Sequence, residues 1–155
     1  MLSRLLPARL DNTHSGHKLA LWLFGLVVAL KGLQSLSIMF NGFSTAIGAD
    51  GIPLDTFTPA VAQTVLAVLA QGSLWRLIFC LLGVLVLVRY RSAIPLMLAV
   101  LVLQYLAGQL IYQFIPLPRA GTPPGPIVNL VMCVLAIVGL ILSLWSRHKP
   151  AKPAA

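Results

Sequence analysis

Charge is scarce in this chain. Only 9% of its residues are Asp, Glu, Lys or Arg, against about 25% in an ordinary soluble domain. Acid is scarcer still: Asp11, Asp50 and Asp55 carry the only three side-chain carboxylates. None of them falls in a long apolar run, which argues against a proton-coupled cation carrier. Small multidrug exporters of similar size depend on such a membrane carboxylate. Cysteine is limited to Cys80 and Cys133, both inside apolar runs. That pattern argues against a disulfide framework and suits buried thiols packing as small hydrophobes. The three histidines, His14, His17 and His148, all lie in the terminal segments. A b-type haem needs axial ligands within the spans, so that class falls away. There is no Ser-His pair, Asp pair or metal motif at membrane depth, and no P-loop, Rossmann fingerprint or CxxC. The chain is therefore not expected to be an enzyme or to hold a cofactor.

What the sequence has is apolar length. Of 155 residues, 59% are hydrophobic, and the mean hydropathy is +0.94. Several runs are long enough to cross a bilayer, and none is left over for a separate soluble domain. The fold class expected is all-α, a four-helix transmembrane bundle with both termini on the cytoplasmic side. Spans are expected at about 19–40, 61–88, 93–114 and 127–145, between a basic arm at 1–18 and a basic tail at 147–155. The first run follows a long stretch, exceeds the core of a signal peptide and lacks a small-x-small cleavage site, so it reads as a retained span. The net charge of +8 would suggest nucleic acid in a soluble protein. Here the cations flank apolar runs and follow the positive-inside rule, so no nucleic-acid partner is expected.

The arm 1–18 is partly amphipathic, with Leu2, Leu5, Leu6 and Leu10 able to lie on a membrane surface and Pro7 limiting a continuous helix. His14 and His17 stand three apart but lack further ligands nearby, so a solvated segment is expected. The first span, Leu19–Phe40, is about 33 Å long as a helix. It carries Lys31 too deep for an end-flanking charge, and Lys31, Gln34, Ser35 and Ile38 share one face. An ammonium near the bilayer centre costs roughly 2.5–3.5 kcal/mol, so this face should turn to protein or water. Asn41–Pro59 reads as a loop punctuated by Gly and Pro, with Asp50 and Asp55 as its charges. Thr58-Pro59 reads as an N-cap and first turn.

The second span is ambiguous. Leu77–Val88 is too short to cross alone, so Arg76 lies within the span or near a break in it. One long tilted helix from about Ala60 is the preferred reading. The alternative is an interfacial helix to about Ala70, a break at Gln71–Ser73 and a span to about Arg91. In either case Gly72, Ser73, Arg76, Cys80 and Gly83 share a face where helices can approach closely. Arg89–Ser92 is a basic turn. The third span carries Pro95 in its first turn and a polar distal half: Gln104, Tyr105, Gln109, Tyr112 and Gln113. Tyr112 also suits an interface anchor. A stiff Pro-rich loop with Arg119 leads to the fourth span, where Asn129, Cys133, Ala136 and Ser143 fall along one side.

Orientation follows from the cations. Arg4, Arg9, Lys18, Arg89, Arg91, Arg147, Lys149 and Lys152 fall on one side and Arg119 alone on the other. Eight against one places both termini in the cytoplasm. Lys31, Arg76, Gln104, Tyr105, Gln109 and Asn129 form the candidate constellation, with Asp50, Asp55 and Arg119 in the outer loops. One reading has these groups gluing helices together, with Lys31 pairing to Asp50 or Asp55 if the loop dips inward. The other is an outward-facing pocket for an anion, a lipid headgroup or a quinone, since two deep cations face no carboxylate in any span.

The stretches KGLQSLSIMFNG (Lys31–Gly42), ADGIPLDTFTPAVAQTV (Ala49–Val65), LVRYRS (Leu87–Ser92) and RAGTPPG (Arg119–Gly125) resemble those of a group of small uncharacterised bacterial four-span integral membrane proteins. The resemblance covers most of the chain and implies a bacterial inner-membrane location. It carries no activity and assigns no residue a role. Because these stretches lie in loops and helix ends, the outer loops are expected to be the working surface.

The leading functional expectation is a non-enzymatic inner-membrane subunit or interaction partner, in contact with the bilayer and with a second copy or another membrane protein. The rival is a small carrier or binder of an anionic, lipid or quinone-like ligand using Lys31 and Arg76.

Overall fold

Long apolar runs in a chain with so few charges satisfy their backbone polar groups most simply as helices. The computed structural model describes residues 5, 10–12 and 16–145, and it is all-helical over them. The expectations for Arg4, Arg9, His14 and the tail from Arg147, with Lys149 and Lys152, lie outside the described residues, as do those for Leu2, Leu6 and Pro7. Helix α1 runs Lys18–Phe40, a short α2 Gly42–Gly48, α3 Pro59–Arg89, α4 Ile94–Phe114 and α5 Gly125–Leu144. Four of these, all but α2, are long and apolar enough to cross a membrane.

The hydrophobic core lies where α1 meets α3, α4 and α5. Phe24, Val27 and Val28 of α1 pack with Cys80 of α3, Leu98 and Leu101 of α4, and Ala136 of α5. Small residues bring the axes together at the Cys80–Gly83 end of the shared face on α3, whereas at Gly72 the same face is open. A Cβ on Gly83 would stand 2.9 Å from Val28 Cγ2. Cys80 and Cys133 are both buried free thiols.

Span two is a single helix of 31 residues, about 46 Å long. There is no break at Gln71–Ser73. The helix outruns a hydrocarbon core of about 30 Å, and its surplus turns have a use. Val65, Leu66 and Leu69 pack against a second small core of Ala46, Ile52 and Leu54.

That second core corrects the expectation of an irregular loop between spans one and two. Residues 42–48 are helical, a 3₁₀ turn follows at Leu54–Thr56, and the segment folds onto α3. Gly42 and Gly48 read as punctuators, but they bound a short helical run whose Ala46 and Ile47 face the core. Thr58 holds the N-cap position with an extended backbone and Pro59 follows at the first turn, with no side-chain hydrogen bond from Thr58.

The arm, the basic turn and the end of α5 share one end of the bundle. Asp11 and Ser92 are joined by Asp11 N–H to Ser92 Oγ (3.0 Å) and Ser92 Oγ–H to Asp11 O (3.0 Å). His17 N–H donates to Leu142 O at 3.0 Å. His17 is not merely solvated, as its polar surroundings suggested: its Nδ1 accepts from Leu19 N–H at 3.1 Å and caps α1. The segment 41–58 and the Pro-rich loop 115–124 lie together at the other end, where the Gly51 carbonyl accepts Ala120 N–H and the Ala49 carbonyl accepts Gly125 N–H, both at 2.8 Å.

Candidate functional site

Those two backbone bonds close the two loops over a cavity of about 680 Å³. Gly51 makes the closure possible. Its φ of 70° lies in the left-handed region, and a Cβ there would stand 2.8 Å from Pro123 Cγ. Glycine is the residue that tolerates both.

The longest wall is α3. Thr64, Val68, Gly72 and Arg76, spaced four apart, all line the cavity, with Val65, Leu69 and Ser73 beside them. The i, i+4 spacing puts one face of α3 along the cavity for its whole depth. Gln34, Ser37 and Ile38 of α1 and Asn129 of α5 close the far side, and Tyr112 of α4 with Arg119 form the rim. The Arg119 guanidinium is held over the Tyr112 ring, 5.3 Å from its centroid, within cation–π range.

The cavity is open along one flank. Val68 and Tyr112 line it yet are 67% and 45% exposed. The gap lies between α3 and α4: the buried residues of α4 end at Leu101, and its distal half is mostly exposed. Arg76 stands thirteen residues from the basic end of α3 at Arg89, about 20 Å along the axis. The exposed lining at Gly72 and Val68 lies about one and two turns from Arg76 toward the looped end.

Of the sequence-derived constellation, the structure brings Arg76, Asn129, Asp50 and Arg119 to this cavity. Lys31 lies deeper, outside the lining but within electrostatic reach of Arg76, Cys80 and Cys133. The charges that act on Asp50 across the cavity are Arg76 and Arg119, and Lys31, considered from the sequence, is not among them. Asp55 is exposed on the 3₁₀ turn and Gln104 and Gln109 are exposed on α4, away from the cavity. Tyr105 is half-buried and also outside the lining. Tyr112 takes the place that the polar stripe of span three assigned to its neighbours. Thr45 and Thr64 were not singled out. The Thr64–Arg76 spacing was the available signal, masked by the apolar residues between.

Asp50 is the one acid in the lining. Partial burial pushes its carboxyl above the ordinary range, while Arg76 and Arg119 pull it back. Polar groups elsewhere are satisfied locally. Ser35 Oγ–H donates to Lys31 O (2.9 Å), Thr64 Oγ1–H to Ala60 O (2.9 Å) and Ser143 Oγ–H to Leu140 O (3.2 Å), each within its own helix. Among the described residues no buried side-chain nitrogen or oxygen lacks a partner.

Fold and site together define a four-helix bundle of membrane-spanning length with a charged, laterally open cavity near one end. Comparison with protein-family models, with curated proteins and with solved structures finds no match to this chain.

Proposed function

We propose that the protein is a bacterial inner-membrane protein, both termini cytoplasmic, that binds an amphiphile with an anionic or oxygen-rich head in the cavity between its outer loops. The observation that carries this is the cavity that Arg76 lines, open at Gly72 and Val68 about one and two turns from it toward the looped end. A guanidinium at that depth, with Lys31 nearby, favours a guest that brings negative charge or acceptor oxygens. Arg119 and Tyr112 add donors at the rim and Asn129 one on the far side, and Ile52, Val65, Val68 and Leu69 offer an apolar wall for a tail. Lipids and quinone-like molecules both have this form. The resemblance to bacterial four-span proteins supports the location, and the cation asymmetry supports the orientation.

Native mass spectrometry of protein gently extracted from its own membrane tests the reading. A co-purifying amphiphile that is lost in Arg76→Gln, with the fold retained, is the expected result. Bare protein in every preparation would overturn it.

A second reading, a non-enzymatic subunit, is favoured by a different observation. Leu103, Leu110 and Phe114 on distal α4 are 65%, 55% and 84% exposed, and Gln104, Gln109 and Gln113 are exposed among them. Amides facing hydrocarbon gain from a partner helix that hydrogen-bonds them. Disulfide crosslinking of Gln109→Cys in native membranes should then give a homodimer or a discrete heteromer. A monomer alone would exclude this reading.

A further inference from the structure

The cavity holds one carboxylate against two guanidiniums. Asp50 stands against the start of α5. Its neighbour Ala49 accepts Gly125 N–H at 2.8 Å, and its own Oδ1 lies 2.8 Å from where a Cβ on residue 125 would project. Only glycine at the start of α5 leaves the carboxylate this room. The charged groups acting on it are Arg76 from α3 and Arg119 from the second loop. Tyr112 of α4 lines the same cavity, and α1, α2 and α5 face it with Gln34, Thr45 and Asn129, which are neutral. Lys31 sits deeper, outside the lining and within electrostatic reach of Arg76.

We propose that Asp50 is a proton-operated counter-ion for the cavity: ionised, it offsets across the cavity the charge of Arg76 and Arg119, and protonated, it leaves that charge to an incoming anionic head. This rests on the reading of the cavity as an amphiphile site. The balance is simple. One proton passes from water to an Asp50 oxygen, one monoanion passes to the guanidiniums, and the net charge of the cavity is unchanged. In a low-dielectric site that exchange avoids gathering two like charges, the carboxylate and the head, beside the same guanidiniums. Linkage makes the effect reciprocal: the bound anion raises the proton affinity of Asp50 by the factor by which the proton raises anion affinity. The desolvation that favours neutral Asp50 acts in the same direction.

The probe is dodecyl sulfonate, whose head stays ionised, so any pH slope belongs to the protein. Calorimetric titration into phosphatidylcholine nanodiscs carrying the full chain, with empty nanodiscs subtracted, gives Kd from about pH 5 to about pH 8. Wild type should weaken as pH rises, by up to about tenfold per unit where one proton is linked. Asp50→Asn should bind tightly with a flat profile, and Asp55→Asn, outside the cavity, should keep the wild-type slope. Buffers of different ionisation enthalpy should report uptake of close to one proton per sulfonate by wild type, a reading that needs no variant. Binding with no pH slope, or an unchanged slope in Asp50→Asn, would overturn the counter-ion role and leave the amphiphile site standing. No sulfonate binding at any pH would overturn both.

Discussion

At the scale of single residues, Asp50 shows how a carboxylate can be kept at a site that disfavours its charge. Burial raises its pKa and two guanidiniums lower it, with burial the larger effect. The folded protein therefore holds a proton over a pH range in which the unfolded chain has released it. Stability from this group is full below the ordinary carboxylate pKa and falls as pH rises through the raised one. The midpoint of thermal unfolding in detergent should drop across that window in wild type, and Asp50→Asn should remove the drop. A midpoint that rises with pH over the same window would show that the guanidiniums outweigh burial.

At the scale of elements, one face of α3 carries two glycines with opposite surroundings. Gly83 lies under Val28, and a Cβ there meets its Cγ2 at 2.9 Å. Gly83→Val should cost about 1–3 kcal/mol through overpacking of the α1–α3 contact. Gly72 has nothing within 4 Å of the same position. Gly72→Ala should leave stability unchanged or raise it by up to about 1 kcal/mol through helix propensity. Thermal or denaturant unfolding of the two variants in one detergent checks the contrast; equal losses would mean that Gly72 is not on an open wall. The outer end of α3 makes a separate prediction. Leu54 is 1% exposed in the small core beneath the first loop, so Leu54→Ala should remove about 2–4 kcal/mol of local packing. Because that core is distinct from the one around Phe24, hydrogen exchange should quicken over 42–58 and stay slow over 20–28. Uniform quickening would show that the two cores unfold as one.

At the scale of the molecule, the sequence made the bundle legible because membrane burial writes itself in run length. The four spans stand within about two residues of their expected bounds, the usual scatter of helix ends. Arg76, Asn129, Asp50 and Arg119 were legible as polar residues on marked faces and loops. Gln104, Tyr105 and Gln109 do not line the cavity, because the distal half of α4 is mostly exposed. α4 is buried at Ile94, Leu98 and Leu101 near its start, and a one-helix pattern cannot report how far along a helix its neighbours cover it. The short helix 42–48 was hidden by the glycines at its ends, which fit a loop as well as a helix of seven residues.

The molecule's proposed orientation also belongs to this scale, since no single residue sets it. The arm, the Arg89–Ser92 turn and the end of α5 meet at one end, which gathers the cations Lys18, Arg89 and Arg91 there. Asp50, Asp55 and Arg119 stand at the opposite end, a pattern that retains Lys and Arg on the cytoplasmic side during insertion. In intact cells of a bacterial host, Asp55→Cys should react with a membrane-impermeant maleimide, while Ser92→Cys should react only after permeabilisation. Cys80 and Cys133 are buried and should stay unlabelled, so the signal belongs to the introduced thiol. The reverse pattern would put the cavity on the cytoplasmic side. The same result would require any amphiphile that reaches Arg76 to come from the inner leaflet, because the lateral opening lies in the half of the bundle nearer the acidic loop.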